Sequence, residues 1–381
     1  MKNNDLLLNE FSAFKLLNFP ERINSLVSVG DCFPVTIEID LTNYCNHKCK
    51  CCVDPVHGKE KLDTVFIEIL FDELKELGIK AVVLKGGGES IIHPEFEKIV
   101  QCIGEKGFDL GIVTNGSRLV NDSISNVLCE YAHYVRVSFN GSTQESYRNM
   151  HGVDDFCNTK EGVKKLLGYR TRKNPVVGLS FPFDIHNIHE VYDAINLIDE
   201  LNADYILIRP FFYEEVGYSR QMNTEQSAEV RKVLVDASQD YAGDKKIIVG
   251  QFISDFEYNE LAKKQAILEN SGRNAYNAKK SNGIEHEIKR CYAHPLITAI
   301  TADRHVWGCC NLRNYNEYSF GQIDYKKGIT FEKIWKGQKR CEVRKLIDNA
   351  KCLKYCTHAL GRYNEFLHYK IACDKNHGSF L

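Results

Sequence analysis

The sequence predicts an α/β protein, with a parallel sheet flanked by helices and a smaller α+β domain after it. Three observations carry this prediction. Short β-rich runs alternate with helically periodic segments between residues 35 and 210. After Pro210 the rhythm changes to polar helical segments and then to short strands. Of the fifteen cysteines in 381 residues, eleven gather in two groups, four directly after the first strand run and seven from Cys291 onward.

Residues 1–34 read as an N-terminal extension. The strand runs that follow are VTIEID (35–40), AVVLK (81–85), DLGIVT (109–114), YVRVSF (134–139), VVGLSF (176–181) and YILIR (205–209), each rich in β-branched or aromatic residues. Between them, 64–77 places Phe66, Leu70, Phe71, Leu74 and Leu77 on one helical face, and 94–106 and 188–201 show the same period. Strands alternating with helices imply parallel pairing with right-handed crossovers, and sites collect at the C-terminal edge of such a sheet whether it is open or closed toward a barrel. Residues 211–285 read as a helical connecting or lid region, with helices over 224–241 and 256–270. Residues 286–381 read as a small domain with strands at 296–302 and 305–307, a tight Asp303-Arg304 turn and a short helix at 331–335, its core too thin to stand without a staple. The sequence contains no internal repeat and no low-complexity tract.

Composition narrows the function classes. Hydrophobic content of 43% and charged content of 26% are those of an ordinary globular chain. A net charge of −2 gives no electrostatic support for binding nucleic acid or an anionic membrane, and Lys164-Lys165 and Lys245-Lys246 read as solvated faces. The opening MKNNDLLLNEF lacks the features of a signal peptide, and no run approaches the ~20 apolar residues of a membrane span, so the expected location is the cytoplasm. Cytoplasmic thiols rarely form structural disulfides, so the clustered cysteines call for a metal, while Cys102 and Cys129 read as core packing.

Cys45, Cys49 and Cys52 form C-x3-C-x2-C directly after the first strand run. Zinc sites favour C-x2-C pairs and four ligands, which this string does not offer. Three thiolates on one loop suit three corners of a [4Fe–4S] cube and leave the fourth iron open to a molecule that chelates through an amine and a carboxylate. His47 should stay off that iron. Lys85-Gly86-Gly87-Gly88-Glu89-Ser90 follows the second strand run, Thr114-Asn115-Gly116 ends the third, and Val137-Ser138-Phe139-Asn140-Gly141 ends the fourth. Glycines admit close approach of backbone to a ligand, and Glu89 supplies a counter-charge.

Together these motifs resemble the radical SAM superfamily, which implies a partial (β/α)6 TIM-like barrel. The resemblance implies that Cys45, Cys49 and Cys52 bind the cluster and S-adenosylmethionine takes the open iron. Gly87, Gly88 and Glu89 would hold its ammonium group. Asn115, Ser138 and Asn140 would complete the cofactor site, and Arg209, ending the sixth strand run, reads either as the partner of a carboxylate of cofactor or substrate or as half of a structural ion pair. Cys51 stands where that family usually has an aromatic residue and reads as a filler beside the adenine.

The second group is Cys291, Cys309, Cys310, Cys341, Cys352, Cys356 and Cys373. With the hairpin Asp303-Arg304-His305-Val306-Trp307-Gly308-Cys309-Cys310, the string Gly321-Gln322-Ile323 and the helix FEKIW, it resembles the SPASM/twitch extension of radical SAM enzymes. Arg304 replaces that family's turn glycine. No cysteine occurs between Cys356 and Cys373, which points to the twitch variant with one auxiliary [4Fe–4S] cluster. The ligands the resemblance implies are Cys291, Cys309, Cys352 and Cys356. Cys310 reads as a substitute for Cys309, as a catalytic thiol that donates a hydrogen atom, or as a buried neighbour that only packs. Cys341 and Cys373 read as free. The pairs lack the C-x2-C spacing of a zinc ribbon.

The resemblance implies an enzyme that takes an electron from a flavodoxin- or ferredoxin-like donor, cleaves S-adenosylmethionine to a 5′-deoxyadenosyl radical, and abstracts hydrogen from a substrate C–H. Residues ahead of the first strand run look too few for a leader-recognition domain, which favours a polar small molecule (a sugar, cyclitol or nucleotide-linked derivative) undergoing dehydrogenation or epimerisation. The alternatives are a peptide-modifying enzyme, and an iron–sulfur electron-transfer or sensor protein. Against the last stand the glycine-rich and Ser-Phe-Asn motifs, since a pure electron carrier needs no cofactor pocket.

Overall fold

Each of the six strand runs forms a strand: β1 (Thr36–Ile39), β2 (Ala81–Leu84), β3 (Asp109–Thr114), β4 (Ala132–Ser138), β5 (Val176–Phe183) and β6 (Tyr205–Pro210). The computed structural model describes residues 13–50, 52, 58–211, 224–249, 291–348, 352, 363–364, 366–367 and 370. The chain divides into two compact units, the larger being Ile37–Ser254 with Ile300–His305, the smaller Met1–Thr36, Asp255–Ala299 and Val306–Leu381.

In the larger unit the strands lie side by side in chain order, and β2 through β6 pair in parallel. A seventh strand, β7 (Lys246–Val249), extends the sheet by pairing Ile206 with Ile247 and Leu207 with Ile248. The sequence reading of 211–285 named helices and no strand, so β7 is an addition to it. The run Lys246-Ile247-Ile248-Val249 is β-branched and adds two buried isoleucines beside β6, a preference that the polar helical surroundings mask in the sequence. The helix expected over 224–241 is present as Thr224–Asp240, while that over 256–270 lies outside the described residues.

The crossovers carry α2 (Thr64–Glu76), which follows the earlier α1 (Pro20–Ser28), then α3 (Phe96–Glu105), α4 (Asp122–Tyr131), α5 (Gln144–His151), α6 (Phe156–Tyr169) and α7 (Val191–Leu201), with α8 (Thr224–Asp240) before β7. Their starts are set locally. The Asp63 carboxylate accepts the Phe66 N–H at 2.9 Å to open α2, and Thr143 and Ser146 form a reciprocal capping box on α5. Helix α2 buries Phe66, Ile67, Leu70, Phe71 and Leu74.

Register sorts the sheet into two chemically different faces. Leu84, Ile112, Val135 and Val177 align across four strands, followed by Val137, Leu179 and Ile206, all fully buried apart from a trace at Ile206. The alternate positions align Arg136 with Val113 and Gly178, Ser138 with Ser180, and Arg209 with Pro182. Lys85 and Glu38 meet on this second face at 2.9 Å. One face is therefore an apolar layer and the other carries charge and hydroxyl groups.

The smaller unit holds α1, strand β10 (Ser319–Gln322) and helices Phe331–Trp335 and Gln338–Asp348; the hairpin of β8 (Ile297–Ile300) and β9 (His305–Trp307) begins and ends in it, while its turn, Ile300–His305, is counted with the larger unit. The hairpin is antiparallel: Thr298 Oγ1 bonds the Trp307 carbonyl and Thr301 N–H donates to His305 O at 3.0 Å. Trp335 is the hub of the unit. Its ring stacks on Phe331, its indole N–H donates to the Cys32 carbonyl at 3.0 Å, and the Arg340 guanidinium lies 3.9 Å above it. Arg340 also clasps Asp31 with two bonds of 2.6 and 2.7 Å. Among the described residues no helix is long and apolar enough to cross a membrane.

Candidate active site

The loop after β1 carries Cys45, Cys49 and Cys52, and neighbouring segments of the larger unit hold it by backbone bonds. Lys48 N–H and Lys50 N–H donate to the carbonyls of His151 and Met150 at 2.9 Å each, so the loop lies along the end of α5. On its other side Gly88 N–H donates to Thr42 O at 2.8 Å and Glu89 N–H to Tyr44 O at 2.9 Å. Gly88 must be glycine for this contact, because a Cβ there would fall 1.9 Å from the Tyr44 carbonyl. Gly87 has φ +61°, and its Cβ would fall 2.8 Å from Asn43 Oδ1. Both glycines thus dock the cysteine loop against the end of β2, a packing need that the motif alone does not reveal.

Glu89 joins two strand ends. Its carboxylate is buried and accepts from Thr114 Oγ1 at 2.8 Å, Asn115 N–H at 2.7 Å and Ile91 N–H at 3.2 Å. Burial pushes its pKa up to about 6 against the lowering effect of these donors. A carboxylate has about four acceptor sites, so Oε2, with one donor among the described residues, retains capacity for a cationic ligand. Asn115 turns its side chain to the cysteine loop: Nδ2 donates to Asn46 Oδ1 at 2.9 Å, and Oδ1 accepts Ser117 N–H at 3.0 Å. Ser138 is half-buried opposite Ser180, Asn140 is buried just beyond β4, and Arg209 is half-buried on β6 beside Pro182.

Both ring nitrogens of His47 are engaged within the protein, Nδ1 with His151 Nδ1 at 3.1 Å and Nε2 with Asp155 Oδ2 at 3.2 Å. The nearest candidate for a fourth protein ligand is thereby held back, which fits a three-thiol set with one open iron. Burial lowers the pKa of His47 against the opposing pull of Asp155. Burial, aided by His47, lowers that of His151 to about 3. The Cys45 thiol is pushed up to about 11 by burial, with Glu89 and Cys52 adding to the shift. Cys49 Sγ lies 3.5 Å from His151 Nδ1. His47, Cys49 and His151 are the one group of ligand atoms close enough for a single ion among the described residues. The three loop thiols do not form such a group. The importance of His151 and Asp155 escaped the sequence reading because they lie more than 100 positions from the loop.

In the smaller unit Cys291, Cys309, Cys310 and Cys352 are all buried. Cys309 is raised well above the usual thiol range by its hydrogen bond with Cys310 and by burial, with Cys291 contributing. Cys352 is pushed up to about 12 by burial, with Cys291 contributing. Cys291 acts on both Cys309 and Cys352, and Cys310 bonds Cys309, so these thiols share one part of the unit. Asn364 Nδ2 donates to Cys291 Sγ at 3.3 Å, and Asp348 accepts the Cys291 N–H at 3.0 Å. Cys341 is exposed. Cys51, Cys356 and Cys373 lie outside the described residues.

Residues 39–198 match the radical SAM superfamily. Over 178 residues the chain is 27% identical to the tungsten-containing aldehyde ferredoxin oxidoreductase cofactor-modifying protein of Pyrococcus furiosus, covering 45% of this chain and 49% of that protein. Over 141 residues it is 33% identical to a probable GTP 3′,8-cyclase of Thermococcus kodakarensis, covering 36% and 45% respectively. The chain thus spans about half the length of these curated relatives. Among solved structures, Streptococcus suis SuiB bound to precursor peptide SuiA superposes with a TM-score of 0.63 at 15% identity, covering 95% of this chain and 78% of that one. The anSMEcpe structure with bound AdoMet and Cp18Cys peptide gives 0.57 at 15% identity, covering 90% and 99%. At these identities the likeness is one of fold.

Proposed function

This chain carries a radical SAM domain over residues 39–198, and from that premise we propose that it abstracts a hydrogen atom from a C–H bond of a polar small molecule, a sugar, cyclitol or nucleotide-linked derivative, leading to dehydrogenation or epimerisation. When bound, the [4Fe–4S] cluster and S-adenosylmethionine supply a 5′-deoxyadenosyl radical, given one electron from an external donor. Cys45, Cys49 and Cys52 would hold that cluster. Gly87, Gly88 and Glu89 would receive the ammonium group, with Ser138 and Asn140 toward the carboxylate and ribose.

The observation that carries the substrate class is the polar face of the sheet. Glu38 and Lys85 pair with each other on it, and Arg136, Ser138, Ser180 and Arg209 share it. Withdrawing such groups from water is costly unless a partner replaces the solvent, and hydroxyl and phosphate groups are suitable partners. The GTP cyclase relative lends the nucleotide-linked option further support. Dehydrogenation needs an electron acceptor, for which Cys291, Cys309, Cys352 and Cys356 would hold an auxiliary cluster. Epimerisation needs a hydrogen-atom donor, the role proposed for Cys310.

A peptide substrate is the second reading, favoured by the SuiB likeness, which spans 95% of this chain in a structure solved with its precursor peptide. The experiment is an anaerobic assay of the reconstituted protein with S-adenosylmethionine, reductant and deuterated candidates of both classes. Transfer of deuterium from a sugar or nucleotide-linked compound into 5′-deoxyadenosine supports the first reading. Transfer from peptides alone overturns it, and no 5′-deoxyadenosine at all would identify an electron carrier or sensor.

A further inference from the structure

Two buried imidazoles beside the cysteine loop have no part in the proposed chemistry. His47 and His151 meet through their Nδ1 atoms at 3.1 Å, and the groups at the two ends of the pair fix where its protons lie. The Asn140 backbone N–H, which can only donate, points at His151 Nε2 at 3.2 Å. Nε2 therefore presents a lone pair, and the single proton of that ring is on Nδ1. At the other end the Asp155 carboxylate accepts from His47 Nε2 at 3.2 Å, so the His47 proton is on Nε2 and its Nδ1 presents a lone pair.

One proton remains between the rings, on His151 Nδ1, and it has two acceptors. These are His47 Nδ1 at 3.1 Å and Cys49 Sγ at 3.5 Å. Tyr147 stacks on His151 with ring centroids 3.9 Å apart and planes 13° apart, and its hydroxyl is tied to Thr159 at 3.0 Å. The ring is thereby kept from tilting away from the sulfur.

We infer that His151 is a positioning residue that shares its Nδ1–H between His47 Nδ1 and the sulfur of Cys49 and raises the reduction potential of the cluster this cysteine would help to hold, while the Asn140 N–H on Nε2 sets the tautomer that makes the donation possible. The inference rests on the proposed ligand role of Cys49. An N–H donor directed at a ligating sulfur favours the reduced, more negative state of a cluster, and such outer hydrogen bonds are one of the means by which a protein sets its potential.

The test is a redox titration of the reconstituted full chain followed by electron paramagnetic resonance. In His151→Phe the ratio of reduced to oxidised cluster at a fixed solution potential should fall about tenfold, equivalent to about 59 mV for a one-electron couple. His151→Gln, which keeps an N–H within reach, should recover part of that loss. An unchanged midpoint in His151→Phe overturns the inference. If His151→Phe assembles no cluster, wild-type protein labelled with 15N-histidine decides. Pulsed resonance of its reduced cluster should show a histidine nitrogen coupling, and its absence overturns the inference. Wild-type protein that binds no [4Fe–4S] cluster would overturn the ligand role of Cys49 as well, and so separates the two failures.

Discussion

The two cysteine groups are built in opposite ways. In the larger unit three thiols sit within eight residues, and the loop between them is bonded to α5, to the end of β2 and through Asn46 to the end of β3. In the smaller unit Cys291, Cys309 and Cys352 come from separate segments and lie buried, with Cys291 near enough to raise the proton affinity of Cys309 and of Cys352. The first site is held in shape by hydrogen bonds that need no metal. The second places several thiols together in a thin core, where bound metal would contribute folding energy. The difference teaches that the first group takes its shape from backbone bonds along one loop, whereas the second depends on how distant segments of the unit pack.

The largest effect that could break this contrast comes from removing each thiol set. Replacing Cys45, Cys49 and Cys52 by serine should abolish 5′-deoxyadenosine formation while amide exchange across 58–211 stays near wild type. Replacing Cys291, Cys309 and Cys352 should lower bound iron from about eight to about four per chain and speed exchange across 291–348. Equal protection of both units in both variants would remove the distinction. Next in size is Glu89→Gln, which keeps the shape but sets an NH2 against one of the three donors now facing the carboxylate. We expect S-adenosylmethionine affinity to fall by about 2 kcal/mol, roughly thirtyfold in Kd by isothermal titration.

How much of this was legible depends on distance along the chain. The six strand runs and the α2 face are local patterns of period two and 3.6, and the folded chain keeps them. The cysteine loop is legible for the same reason, since its spacing is complete within residues 45–52. β7 was hidden because four residues inside a polar helical stretch carry little pattern, and only the edge of β6 makes them a strand. The His47, His151 and Asp155 relay was illegible because nothing local marks His151 as the partner of a loop 102 residues away. Gly87 and Gly88 were legible as glycines but not in their packing role, which depends on where Asn43 and Tyr44 come to rest.

A smaller effect sharpens the account of the second unit. Burial pushes the Asp31 carboxyl up, but Arg340, Arg344 and the Cys32 N–H together outweigh it and hold it below its ordinary 3.8. A carboxyl depressed by folding stabilises the native state above its unfolded value, and the contribution is lost as pH falls through 3.8 toward the folded value. With Asp31 partly open to solvent, the contribution is about 1 kcal/mol. Asp31→Asn should lower stability at neutral pH by about that amount in urea melts and flatten the acid limb of the profile. An unchanged acid limb would mean that aromatic packing around Trp335, not this clasp, organises the unit.

The smallest effect concerns the hairpin turn, where Arg304 takes the left-handed φ of 69° usually left to glycine. Such a backbone costs a residue with a Cβ roughly 1 kcal/mol. Two contacts within the larger unit offset it, an ion pair from Arg304 to Asp63 at 2.8 Å and the guanidinium over the Phe66 ring at 4.7 Å. Both are partly exposed and together contribute about 1 kcal/mol. Arg304→Gly removes the strain and the contacts at once and adds unfolded-state entropy, so its net cost should stay within about 1 kcal/mol. Arg304→Ala keeps the strain and loses the contacts, so it should be the less stable variant by thermal melting. If alanine instead equals wild type, the Asp63 and Phe66 contacts do nothing for the turn. The side-chain bracing claimed for the larger unit would then be confined to the cysteine loop.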